Sequence, residues 1–132
     1  MQDNPTAINL LQTIQDLLIK EIAPKLEGED FLSYKTLVSW NMLGVVVREL
    51  KFGEKLLHDE MIRLRAILNK SNSNSELTYQ EKIEEASILN RELAQLIRNA
   101  KLDNKSDEVW NLVKQSLKEK ISITNPRFSL EE

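Results

Sequence analysis

Chemistry in this chain would have to be built without cysteine and around a single histidine, His58. Thiolate metal sites, disulfides and a Cys nucleophile are therefore excluded. A di-iron site of the ferritin type needs Glu-x-x-His on two facing helices. One histidine cannot supply two such motifs, and no Glu lies three residues before His58; Glu54 sits four before it and Ile62 four after. A Ser-His-Asp arrangement would have to use the same histidine, and no Gly-x-Ser-x-Gly elbow is present. The three glycines, Gly28, Gly44 and Gly53, stand too far apart to cradle a phosphate. The carboxylate pairs Asp59-Glu60, Glu84-Glu85 and Asp107-Glu108 fall on polar faces or at helix starts, where negative charge is favoured anyway. The expectation is no catalytic residue, no metal and no cofactor, hence a protein that is not an enzyme.

Two groups of residues remain that could bind. The first is Trp40, Asn41, Arg48 and Glu49 in one apolar segment, with Asn90 in another. Asn41 stands among apolar neighbours, and a buried amide without partners costs about 1–3 kcal/mol. It is read either as a structural amide bonded across helices or as a group that orients a ligand. Arg48 is read either as one half of an internal ion pair or as the holder of an anionic ligand. Asn90-Arg91-Glu92 is the natural place to look for its partner. The second group is Asn125, Arg127 and Phe128, around Pro126. It is either a helix stop with the tail packed back, or a docking segment in which Arg127 meets a carboxylate and Phe128 fills a pocket.

The elements that must position these residues read as helices. Thr6 can cap the first, over about 7–23, in which Ile8, Leu11, Ile14, Leu18 and Ile22 recur at helical spacing. Asn9, Gln12, Gln15, Asp16 and Lys20 take the other face, Pro24 interrupts the pattern, and Gly28 marks a turn. The second, about 30–52, is apolar on most sides, which places it mid-bundle or in a subunit interface. Val45-Val46-Val47 would suit a strand, but the long helical pattern around it decides for helix. Gly44 inside that helix costs up to ~1 kcal/mol against Ala, which points to close approach of a neighbouring helix. A third helix spans about 54–68 with Leu57, Met61, Leu64 and Leu68 inward. A polar, mobile loop follows over 69–77. Thr78 and Glu81 form a capping box for a fourth helix, about 79–100. Ser106 can cap a fifth, about 107–122, with Val109-Trp110, Val113, Leu117 and Ile121 inward. Asn125-Pro126 stops it, leaving an extended tail over 123–132. The fold class is all-α: a single-domain bundle of about five helices spanning 1–132.

Composition agrees with a soluble chain of 132 residues. It carries 18 basic and 21 acidic residues, net −3, without the basic stripe that nucleic-acid binding leaves. The longest uninterrupted apolar run, Met42 to Val47, is far short of the ~20 residues of a membrane span. The opening residues have no basic region before a continuous apolar stretch, so no signal peptide is expected and the location is cytoplasmic.

Four stretches carry a resemblance: Met1-Gln2-Asp3-x-Pro5-Thr6-Ala7; Phe31…Leu37-Val38…Asn41…Val47-Arg48-Glu49-Leu50…Gly53; Leu89-Asn90…Glu92-Leu93…Ile97-Arg98; and Ile123-x-Asn125-Pro126-Arg127-Phe128. Over essentially its whole length the chain resembles a bacterial family of short proteins known only as a domain of unknown function. Members often carry Arg or His near Lys35, and their mid-chain loop is shorter and poorer in Asn and Ser than 69–75. Family members are often encoded beside an aminoglycoside-phosphotransferase-like kinase and an acyl-CoA dehydrogenase. The resemblance implies an accessory protein in acyl-CoA or related catabolism and implies no activity.

These observations lead to a non-catalytic helical interaction or accessory protein with a protein partner or a second copy, and with no nucleic-acid or membrane partner. The alternative is a small-ligand-binding helical domain. It would recognise an anionic metabolite through Trp40, Asn41, Arg48, Glu49 and Asn90.

Overall fold

The computed structural model describes residues 4–72, 76–100 and 107–128, and among these every regular element is helical. Val45 to Val47 lie inside a helix, as the long periodic pattern requires. The chain divides into two compact units, Met1–Phe52 and Gly53–Glu132.

The first unit is a helical hairpin. Helix α1 (Ala7–Leu17) starts at Thr6, whose hydroxyl accepts the Asn9 amide at 3.2 Å while the Asn9 side chain accepts the Thr6 amide at 3.1 Å. The helix then widens into a π turn over Leu18–Ile22, with the Ala23 N–H donating to Leu18 O, and tightens into a 3₁₀ turn over Ala23–Lys25. Pro24 explains the change: it has no N–H to donate, and its ring would clash with the carbonyl four residues back, at Lys20. Gly28 turns the chain at φ +86°, a conformation that costs glycine little. Helix α2 (Asp30–Arg48) follows and packs along α1, ending in a second π turn, Glu49–Gly53.

Three helices make the second unit: α3 (Glu54–Ile67), α4 (Tyr79–Asn99) and α5 (Asp107–Thr124). Its core gathers Met61 and Leu64 of α3, Ala86, Leu89 and Leu93 of α4, and Val109 and Leu112 of α5. Leu64 is fully buried. Ion pairs frame this core and reveal its topology. Glu54 meets Lys82 at 2.7 Å near the start of both α3 and α4, and Lys70 meets Glu92 at 2.5 Å further along both. The two helices therefore run in the same direction. Arg65 and Glu85 pair between these two ends. By contrast, Glu60 reaches Lys120 while Ala66 and Ile67 share a cleft with Glu108 and Leu112, so α5 runs back along α3.

The end of α3 is built by an asparagine. Asn69 adopts φ +54°, its N–H donates to Ala66 O at 3.2 Å, and the Lys70 N–H donates to Arg65 O at 2.8 Å. That is the Schellman arrangement, with Asn in the left-handed position usually held by Gly. Helix α4 opens on the expected box: Thr78 N donates to Glu81 Oε2 at 2.8 Å and Glu81 N to Thr78 Oγ1 at 3.3 Å.

Four details of the sequence reading change. Gln15 is half-buried against α2 rather than on the outer face of α1. Helix α5 buries Val109, Leu112, Ser116 and Ile123, while Trp110, Val113 and Leu117, expected inside, are exposed. The two candidate stripes of α5 are neighbours on the helix, about 100° apart, and packing on α3 selects one. Helix α5 also continues to Thr124, and Asn125–Phe128 closes a turn, Phe128 N donating to Asn125 O at 3.0 Å, instead of extending. Asn41, expected within the apolar interior, is exposed. Loop residues 73–75, the cap expected at Ser106 and the tail beyond 128 lie outside the described residues.

Candidate functional site

The hairpin brings several expected residues together around Gly44. Gln15 of α1 donates from Nε2 to the Trp40 carbonyl at 3.0 Å. A Cβ placed on Gly44 would stand 3.0 Å from Gln15 Nε2 and 3.1 Å from Arg48 Nη1. The glycine thus opens a seat on α2 that the Gln15 amide and the Arg48 guanidinium occupy together. This is the close approach that a mid-helix glycine implies. Trp40 and Arg48 are half-buried, and Glu49 is exposed at the head of the π turn. Gln15 escapes the sequence reading, although its spacing of four from Leu11 and from Ile19 aligns it with the inner face.

Asn41 does not join this group, because it points to solvent. An α2 that is apolar nearly all round gives no periodicity from which its outer side could be read. Asn90 belongs to the second unit. Its Nδ2 donates to Ala86 O at 2.9 Å and to Glu60 Oε1 at 3.3 Å. Glu60 is itself buried at 6 % exposure and takes a further bond from Lys120 Nζ at 3.0 Å. Asn90 therefore secures a buried carboxylate at the meeting of α3, α4 and α5. Glu92, considered as a partner for Arg48, is engaged by Lys70. Asn125, Arg127 and Phe128 form the turn after α5, all three exposed.

The most conspicuous surface of the first unit is apolar. Phe31, Tyr34, Val38 and Met42 recur at helical spacing along α2, with Phe31 71 %, Tyr34 65 % and Met42 61 % exposed. They lie on the opposite side of the helix from Thr36, Trp40, Gly44 and Val47, which are buried or half-buried. Helix α1 repeats the pattern. Its exposed Leu10, Ile14 and Leu17 stand about a third of a turn from the inward Ile8, Leu11 and Gln15. Both helices thus carry an apolar stripe that the hairpin contact does not use. Between Phe31 and Val47 the only charged residue is Lys35, whose ammonium lies 4.4 Å from the centre of the Phe31 ring.

Among the described residues of the second unit lie two shallow clefts. One, of about 480 Å³, is lined by Arg65, Lys70, Asn69 and Glu85, but its two cations are already paired with Glu85 and Glu92. The other, of about 320 Å³, lies between α3 and α5 beside Ile67 and Leu112. Among the described residues there is no cluster of three His, Asp or Glu suited to a metal ion, and His58 is exposed on α3. Among the same residues, no helix is long and apolar enough to cross a membrane.

Helices and surface together define an all-α protein of two helical units, the first with an apolar face open to solvent. The chain belongs to the family described as Domain of unknown function (DUF6285), which matches residues 24–128. The match takes in α2 to α5 and begins at Pro24, just after α1 and its π turn. No curated protein and no solved structure matches the chain.

Proposed function

We propose that this protein is a non-catalytic, cytoplasmic helical interaction module whose α1–α2 hairpin is the surface that meets another protein. One observation carries the reading: the exposed apolar stripe of α2 from Phe31 to Met42, continued by Val46 and Leu50. Contiguous apolar surface rimmed by polar residues marks interaction sites in soluble proteins. The burial pattern supports the same division of labour. The second unit has a core of its own, whereas the hairpin buries little beyond Thr36, Gly44 and Val47. An accessory role beside a kinase and a dehydrogenase of acyl-CoA metabolism is the pathway that the family resemblance suggests.

The test is the solution mass of the purified chain, by light scattering on a sizing column, alone and mixed with those two enzymes. Association that is lost in a Met42→Glu chain with unchanged helical circular dichroism is the expected result. A chain that stays monomeric and ignores both enzymes would count against the reading. Weight would then move to the alternative, an anionic metabolite held near Arg48. A thermal-shift screen with acyl-CoA compounds and organic phosphates would detect it, because tight ligands raise apparent stability by mass action.

A further inference from the structure

We infer that the first occupant of the α2 stripe is a second copy of this chain, joined through α2 against α2. The inference rests on the interaction reading above and names the partner.

Three observations carry it. The first is an incomplete core. A unit of this size seldom buries enough apolar surface alone, and oligomerisation is one of the usual remedies. Here α2 has one side committed to α1 and the other side apolar and exposed. A helix apolar on both sides is one that packs between two neighbours. The second is area. Phe31, Tyr34, Val38, Met42, Val46 and Leu50, at their observed exposures, leave on the order of 700 Å² of accessible residue surface, close to the ~800 Å² per partner of a standard interface. The flanking stripe of α1 adds to this. The third is self-compatibility. In a two-fold contact residue i of one copy meets residue j of the other and j meets i, so the patch must complement itself. From Phe31 to Leu50 the segment holds three charges, Lys35, Arg48 and Glu49; Lys35 and Glu49 stand seven residues either side of Met42, so an antiparallel two-fold contact centred there sets each Lys35 opposite the second copy's Glu49. A uniformly acidic or basic partner would match only one of Lys35 and Glu49, whereas the stripe's own image supplies both complements around an apolar centre. Two hairpins joined this way form an intermolecular four-helix bundle.

The chain has no cysteine, so Met42→Cys introduces a single thiol at the centre of the stripe. The experiment combines solution mass with the rate at which that thiol reacts with a maleimide, both followed on dilution of the full chain. The expected result is about twice the 15.3 kDa chain mass, with slow labelling that speeds up as the dimer dissociates. Met42→Glu should weaken the dimer at least ~30-fold, the loss of a central interface anchor. Trp110→Glu, at an exposed position on α5, should leave it intact. A dimer whose thiol labels at once would overturn the α2 contact. A monomer with a fast thiol would overturn the second copy while leaving the face open to a different protein. A monomer with a slow thiol would mean that the chain covers its own stripe, which sinks both this inference and the interaction reading. The labelling decides among these whether or not the charged variant folds.

Discussion

Gly44 is where one atom fewer decides how two helices meet. Replacing it with Ala should gain about 1 kcal/mol of helix propensity. The new methyl group would press on Gln15 Nε2 and Arg48 Nη1, both ends of flexible side chains. Displacing Gln15 from the Trp40 carbonyl removes a hydrogen bond of about 0.5–1.5 kcal/mol. The two effects nearly cancel, so Gly44→Ala should change stability by less than about 0.5 kcal/mol. In a Gln15→Ala background the same substitution should become stabilising. A double-mutant cycle by urea unfolding checks this, and a strongly destabilised Gly44→Ala would mean that the seat is more rigid than described. Asn90 poses the complementary question. If it serves to hold Glu60, Asn90→Ala should cost about 1–3 kcal/mol, because the buried carboxylate loses a donor. Unfolding measurements would show it, and a neutral outcome would remove Asn90 from the structural network.

Among the elements, ends were easier to read than faces. The caps at Thr6 and Thr78 are local, needing only a hydroxyl and a side chain three residues on, and both form as written in the sequence. Burial on α5 was not legible, because Val109-Leu112-Ser116 and Trp110-Val113-Leu117 are equally helical and only the partner helix chooses between them. The Thr78–Glu81 box also makes a prediction in pH. Hydrogen bonds from the Thr78 side chain, then from its backbone, hold the Glu81 carboxyl below its ordinary 4.5. Glu54 is lowered too, by its hydrogen bond and charge pairing with Lys82. A lowered folded-state value means a contribution that is complete above the ordinary value and fades as pH falls through the lowered one. The melting temperature should therefore drop as pH falls below the ordinary 4.5 and through the lowered values. Glu81→Gln keeps the capping geometry and should flatten part of that slope; an unchanged slope would exclude Glu81 from it. At the other end of the α3–α4 link, Asn69→Gly should stabilise by a few tenths to about 1 kcal/mol, since the left-handed φ of +54° costs glycine less. Thermal unfolding of the variant tests it, with a lowered midpoint as the contrary outcome.

For the molecule as a whole, the all-α class was readable from periodicity, and five α-helices stand among the described residues. What lay beyond the sequence was which surfaces remain open. Helix α2 looked interior because it is apolar on most sides, and the structure gives one of those sides to solvent. The π turns were equally hidden. Pro24 accounts for the first once it is seen, but no residue type marks a helix that widens at Glu49–Gly53. The shared direction of α3 and α4 could not be inferred either, since it is written in pairs such as Glu54–Lys82 that only the folded chain brings together.

That shared direction sets a limit on the link between the two helices. Two helices that run the same way cannot be joined by a tight turn; the chain must travel back the length of one before starting the other. Helix α3 has 14 residues, so the return is about 20 Å at 1.5 Å per residue. The stretch from Leu68 to Thr78 could reach roughly 36 Å if fully drawn out. It is thus generous by several residues. Removing three from its Asn- and Ser-rich middle should leave the melting temperature almost unchanged. Trimming it to about five residues leaves at most ~17 Å of tether, short of the return even before the sideways step between helices, and the unit should lose its cooperative unfolding. The tether is a ruler, and the length at which stability collapses would measure the return path directly.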